Sequence, residues 1–343
     1  MQKRIEEYGV SIGEMKKGPR NKITDVAGVK VGHCTIDNQN NQTGVTVVIP
    51  AEGNLFAEKL PAASFVWNGF GKTAGLIQID ELGTLETPIA LTNTLNVGLV
   101  HDALVEYAAR QCEADGVEMR SLNPVVCECN DSRINQITHR AVKTEHVMQA
   151  FENACEDFEE GDVGCGKSTI CHGLKGGVGS ASRVFELGGK EYTIGVLVQS
   201  NHGKMEDLTV AGKPIGKDLA AKNLGDTPVD QGSIIMIVAT DLPCSQRQLK
   251  RMIKRASVGL ARLGSYVGHG SGEVMVGFST ARRIPHDTQQ EILPCFELNE
   301  NKIDLAFRAV AEATEEAVLN SMVCAGPARR LDGMYIHSLR EFL

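Results

Sequence analysis

Ser233 follows Gly232 at the head of the apolar run Ile234-Ile235-Met236-Ile237-Val238, and Ser271-Gly272-Glu273 answers it 38 residues later. If the Gly232-Ser233 bond broke, one residue would carry both a hydroxyl and an α-amine. Such an amine has a pKa of about 7.7–8.0, close to what a general base needs at neutral pH. It can deprotonate its own hydroxyl, which activates a weak oxygen nucleophile without a histidine. Ser271 and Glu273 are spaced i, i+2 on an extended segment, so their side chains share one face and can reach the same place. There the carboxylate would orient the amine and stabilise its ammonium form, and Ser271 would position or relay the proton. Taken alone, Gly232-Ser233 reads as an ordinary turn glycine before a strand, and 271–273 as a polar turn.

The elements that must position these groups alternate along the chain. Short apolar runs bounded by glycine or polar residues predict strands over 44–49, 64–68, 192–199, 233–240 and 274–281. Helical patterns fall at 95–114, 144–158, 245–263 and 302–322. In the third, Leu249, Ile253, Ala256, Leu260 and Leu263 form one core-facing stripe, and Arg247, Lys250, Arg251, Lys254 and Arg255 read as a solvated outer face. No Pro/Ser linker, repeat or low-complexity stretch divides the chain, so one α/β layered sandwich over 1–343 is expected.

Composition narrows the function classes. Lys+Arg 35 against Asp+Glu 43 gives a net charge of -8, which argues against a nucleic-acid surface. Ten scattered cysteines read as reduced thiols. The charged first residues lead into no hydrophobic stretch, so no membrane span and a cytoplasmic location are expected. Residues 161–168 match the phosphate-loop pattern letter for letter, but the acidic stretch before them and Gly173, Gly176 and Gly177 after them leave no strand–loop–helix context. They are expected to form a glycine-rich loop shaping a pocket or a subunit contact. Neither Cys127-Glu128-Cys129 nor Cys165 with Cys171-His172 has a zinc-knuckle spacing, so these thiols read as buried small hydrophobes, His172 as locally hydrogen-bonded, and no metal is expected.

The segments 231–241, 248–251, 259–262 and 270–273, together with 23–33, 68–71, 85–93 and 175–183, resemble in order the self-processing serine aminopeptidases, the family of the L-aminopeptidase/D-Ala-esterase and the β-aminopeptidases. The resemblance runs from about residue 20 to about 330 and implies a four-layer αββα sandwich of two packed, mainly antiparallel or mixed sheets with an N-terminal-nucleophile site. It implies self-cleavage into an α chain, 1–232, and a β chain, 233–343, and hydrolysis of the amide or ester bond after a free N-terminal amino acid through an acyl-Ser233 intermediate. Asn201, 32 residues before Ser233, is similar to the family's oxyanion asparagine, and Glu128 to the glutamate that receives the substrate ammonium. Asn130 stands where some members carry a tyrosine, so no tyrosine-dependent step carries over, and Asn130 is a substrate-binding candidate through its amide. No cofactor is implied, and the assembly implied is of several αβ units, four by resemblance. Two other readings stay open: a different acyl-transfer enzyme on this fold, either an amide hydrolase or an N-acetyl transferase, and an unprocessed binding protein.

Overall fold

Ile234, Met236 and Val238 enter one hydrophobic core while Ile235, Ile237 and Ala239 enter another. A strand buried on both faces belongs in the middle of a layered structure. The computed structural model of the protein describes residues 3–222, 224 and 231–343, and it contains such layers. Its strands include β1 (Lys30–Asp37), β2 (Gln42–Ile49), β3 (Glu58–Gly69), β4 (Thr84–Leu85), β5 (Ile89–Asn93), β6 (Val125–Cys129), β7 (Ile170–Cys171), β8 (Leu174–Lys175), β9 (Gly177–Leu187), β10 (Lys190–Asn201), β11 (Gln231–Thr240), β12 (Gly270–Ser279) and β13 (Ile284–Pro285). Its helices are α1 (Leu76–Leu82), α2 (Val97–Asp115), α3 (Thr144–Glu152), α4 (Gly216–Ala221), α5 (Gln246–Ile253), α6 (Ala256–Arg262) and α7 (Asp304–Val323).

One sheet has the order β1-β2-β5-β6 and the other β13-β3-β12-β11-β10-β9, with β4 on β3. Both are mixed, because β5–β6 and β11–β12 pair in parallel within otherwise antiparallel ladders. Between the sheets, Val31, Val48 and Leu91 meet Leu197, Ile235, Ile237 and Val276. Val100 and Leu104 of α2 and Val147 of α3 cover the outer face of the first sheet. Leu249, Leu260, Val310 and Ala317 of α5, α6 and α7 cover the second. The result is the expected αββα order. Helix α7 is also locked to β9 by the buried Arg183, which pairs with Glu312 at 3.2 Å and Glu316 at 2.7 Å, one helical turn apart.

Two expected helices differ from those observed. The 144–158 pattern stops at Glu152, because Cys155 exchanges both backbone hydrogen bonds with Val31 at 3.0 Å and so becomes an edge partner of β1. The 245–263 helix breaks between Ile253 and Ala256, where the Ser257 hydroxyl donates to the Lys254 carbonyl and the turn tightens. Past the break, Gly259 passes α7 so closely that a Cβ there would lie 2.8 Å from the Ala311 carbonyl oxygen. The basic face of α5 is not merely solvated. Arg247 and Arg251 pair with Glu300, Lys250 pairs with Asp80, Lys254 lies over Phe65, and Arg255 lies 3.8 Å from the Phe307 ring centre.

Candidate active site

The end of β10 and the start of β11 bring Asn201 and Ser233 directly opposite each other in the antiparallel ladder. Residues so paired share a face, with Cβ atoms about 4.5–5.5 Å apart. That face opens on a cleft of about 330 Å³ lined by Asn201, Ser233, Gly232, Glu128, Thr94 and Asn130 among others. The Asn201 Oδ1 accepts the backbone N–H of Ile170 at 2.9 Å. Only the oxygen of an amide can accept that bond, so the Asn201 NH₂ group is left as a donor. Gly232 has φ +147°, and a Cβ on it would lie 1.8 Å from the Asn201 carbonyl oxygen. The residue before Ser233 therefore holds a conformation that glycine alone adopts readily, next to the bond whose cleavage would free the amine.

Cys129, at the end of β6, reaches Ser233 from the facing sheet, and its thiol donates to the Gln199 carbonyl at 3.4 Å. Burial pushes this thiol well above its usual range, so it stays protonated and is no rival nucleophile. Glu128, one residue earlier, is a buried strand residue, not a solvated loop charge. Its Oε1 accepts the Lys72 backbone N–H at 2.9 Å and its Oε2 accepts the Thr94 hydroxyl. A carboxylate accepts about four hydrogen bonds, so these two leave room for an ammonium. The Asn130 side chain is largely engaged: Oδ1 accepts from the Ser132 backbone and hydroxyl at 3.1 and 2.6 Å, and Nδ2 donates to Thr94 Oγ1 at 3.3 Å.

Ser271 and Glu273 do share one face, and the Ser271 hydroxyl donates to the Glu273 carboxylate. That face is not the one carrying the Ser233 hydroxyl. In the parallel β11–β12 register Ser233 lies opposite Gly272, while Ser271 and Glu273 lie opposite Gly232 and Ile234. The pair therefore points with Ile234 toward the helix layer, and Ser233 points toward the facing sheet. Both residues bracket the Ser233 backbone nitrogen from one strand spacing away, about 4.8 Å. Their i, i+2 spacing gives them a common face, and the register with β11 decides which face that is.

The glycine-rich stretch 161–168 is no phosphate loop. Gly161 exchanges backbone hydrogen bonds with Val178 at 2.7 and 2.8 Å, and a short 3-10 turn, Gly164–Gly166, leads into β7 instead of a helix. Lys167 is committed to Asp37 at 2.8 Å, and Ser168 and Ile170 line the cleft. Nearby, the buried Lys175 donates to the carbonyls of Gly166 and Gly176 at 3.0 and 2.9 Å, and burial lowers its pKa from 10.5 to about 7. Between those values the unfolded chain binds a proton that the folded one does not, so folding stability gains with rising pH across the window. Compared with Lys175→Met, wild type is expected to become relatively more stable from pH 7 to pH 9 in urea titrations. A pH-independent difference would mean that the ammonium stays charged in the fold.

Cys127, Cys129, Cys165 and Cys171 are buried, as read from sequence. Reasoning along the sequence missed His202, which the β10 turn brings to Cys171 and His172. These three are the one group among the described residues able to hold a metal ion, with ligand atoms within 4.8 Å of one another. His172 Nδ1 bonds the Lys204 carbonyl at 2.9 Å, and burial followed by the neighbouring His172 keeps His202 well below its usual pKa. The only available signal was His202 directly after Asn201, a spacing that points to nothing without the fold.

A mixed two-sheet αββα sandwich with a serine at the start of a central strand defines the class of N-terminal-nucleophile hydrolases. The model of peptidase family S58 matches residues 21–336, and the chain belongs to that family. It is 38% identical to the β-peptidyl aminopeptidase BapA of Sphingosinicella microcystinivorans, over 98% of this chain and 89% of that one. Its fold superposes on the PH0078 protein of Pyrococcus horikoshii with TM-score 0.91 and 48% identity, covering 98% of this chain and 96% of that one. A further structural relative is the L-aminopeptidase D-Ala-esterase/amidase of Ochrobactrum anthropi, described as a prototype for the serine aminopeptidases and a variant of the Ntn-hydrolase fold. It gives TM-score 0.89 and 33% identity, covering 98% of this chain and 95% of that one. The protein is thus a self-processing serine aminopeptidase acting through an acyl-enzyme intermediate. Among the described residues no helix is long and apolar enough to cross a membrane.

Proposed function

We propose that the chain cleaves itself between Gly232 and Ser233 and that the freed Ser233 is the nucleophile of the mature enzyme. The observation that carries this reading is Asn201 lying opposite Ser233 on the cleft face, its amide oriented by Ile170. In maturation the Ser233 hydroxyl attacks the Gly232 carbonyl carbon, the C–N bond breaks to leave an ester and a free amine, and water hydrolyses the ester. Gly232, with its glycine-favoured φ and no Cβ, gives slim access to that carbonyl. The products are an α chain of ~25 kDa and a β chain of ~12 kDa in one folded unit.

In turnover the Ser233 amine takes the hydroxyl proton as oxygen attacks the substrate carbonyl. The Asn201 amide donates to the oxyanion, and the proton passes to the leaving amine as the acyl-Ser233 ester forms. Water then releases the amino acid by the same steps in reverse order. Ser271 and Glu273 hold the amine once cleavage lets it turn toward their face, the carboxylate stabilising the ammonium. Glu128 receives the substrate's N-terminal ammonium, with Asn130 at the rim through Thr94. The substrates are short peptides or amides with a free amino end, and the names of the relatives extend the class to β-amino residues. Assembly of several αβ units, four by resemblance, in the cytoplasm completes the proposal, with light scattering to read the number.

Glu128→Gln is expected to raise KM for amino-acid amides by 10-fold or more while self-cleavage proceeds. The test is steady-state kinetics beside denaturing electrophoresis, and equal damage to both processes would make the carboxylate structural.

A further inference from the structure

The cleft carries more positive charge than its proposed role requires. Lys72 and Arg133 both line it, and among the described residues that do, Glu128 is the one carboxylate. The protein as a whole has net charge -8, so this local excess runs against the general balance. Among the described residues the Arg133 guanidinium has no carboxylate partner, and the Lys72 ammonium has only the Phe70 ring, 4.5 Å from its centre. Glu128 does not neutralise either cation: its bonds go to the Lys72 backbone N–H and the Thr94 hydroxyl, and a substrate ammonium would take up its remaining capacity.

Arg133 also sits on a well-held turn. The Asp131 carbonyl accepts from the N–H groups of Ile134 and Asn135 at 3.1 and 2.9 Å, and the Arg133 carbonyl accepts from Leu331 at 3.0 Å. Ile134 next to it packs with Ile170 and Ile336 in a small core of its own. The backbone under the guanidinium is therefore fixed on three sides, while the side chain is only half-buried and reaches the cleft. A planar guanidinium presents paired N–H donors that match a carboxylate bidentately, and a nearby ammonium adds an adaptable point charge.

We propose that Arg133, assisted by Lys72, binds a carboxylate on the substrate, so that the enzyme prefers amino-terminal substrates that also carry an acid. The inference rests on the assignment of Glu128 and Ser233 above. The shared chemistry has two sources: an acidic side chain on the N-terminal residue, or the free C-terminus of a dipeptide.

The experiment compares kcat/KM for two matched pairs, Glu-α-amide against Gln-α-amide and Ala-Ala against Ala-Ala-amide, in wild type and Arg133→Gln. In at least one pair the acid is expected to be favoured by about 10-fold or more in the wild type. Arg133→Gln is expected to bring that ratio close to one through KM, leaving the neutral member within about threefold; the responding pair identifies the source. The proposal is overturned by an absence of preference in both pairs, or by equal losses on both members in the variant. Failure of a processed wild-type chain to hydrolyse any of the four would instead remove the underlying reading of Glu128 and Ser233.

Discussion

Ser233→Ala is expected to give a single full-length chain and no measurable hydrolysis. The variant deletes one oxygen at a buried position beside Cys129 and is not expected to disturb the fold, since the backbone ladder to Asn201 and Gly272 does not involve the side chain. It removes the attacking atom of maturation, so the amine that would serve as base is never freed. It also removes the atom that would be acylated in turnover. Two functions fail through one atom, which makes the expected loss complete and not partial. Denaturing intact-mass analysis reads the first failure and an amide substrate the second. In the wild type, amino-terminal sequencing of the smaller fragment should begin Ser-Ile-Ile-Met. Retained cleavage in the alanine variant would place the maturation site elsewhere.

Substitution of Asn201 is expected to have the next largest effect, and two variants separate its two jobs. Asn201→Ala removes the donor facing the cleft and also leaves the buried Ile170 N–H without its acceptor. The first loss should lower kcat by about 10²–10³, as for other single oxyanion donors. The second should destabilise the fold by about 1–3 kcal/mol. Asn201→Asp keeps an acceptor for Ile170 but replaces the donor with an anion that repels the developing charge. It is expected to hold most of the thermal stability while losing at least as much kcat as the alanine variant. An aspartate variant of near-wild-type kcat would show that Asn201 only braces β7, and the oxyanion donor would have to be sought elsewhere along the cleft.

The contrast between Ser233 and the Ser271–Glu273 pair shows where reading along the chain stops. A strand repeats every two residues, so the common face of Ser271 and Glu273 was legible from their spacing. Which side of the sheet that face occupies depends on the parallel register with β11, and one step of register reverses it. The same limit applies to helices. The apolar stripe of 245–263 predicted the buried side correctly, yet the helix breaks after Ile253, and past the break Gly259 lies against α7, a contact with residues more than 50 positions away.

What the sequence determined by itself was local and periodic: the short apolar runs that become strands, the helix stripes, the failure of 161–168 as a phosphate loop and the burial of Cys127, Cys129, Cys165 and Cys171. Each follows from the chemistry of a short window of residues, and the ordered run of blocks carried the family likeness. What only the tertiary structure decided was juxtaposition across layers. The meeting of Cys171 and His172 with His202, the engagement of Asn130 by Thr94, the orientation of Asn201 by Ile170, and the gathering of Lys72 and Arg133 at one cleft all join segments separate in the chain. Hydrophobic burial is non-directional and fixes which faces are hidden, whereas these polar contacts depend on the register and spacing with which hidden faces meet.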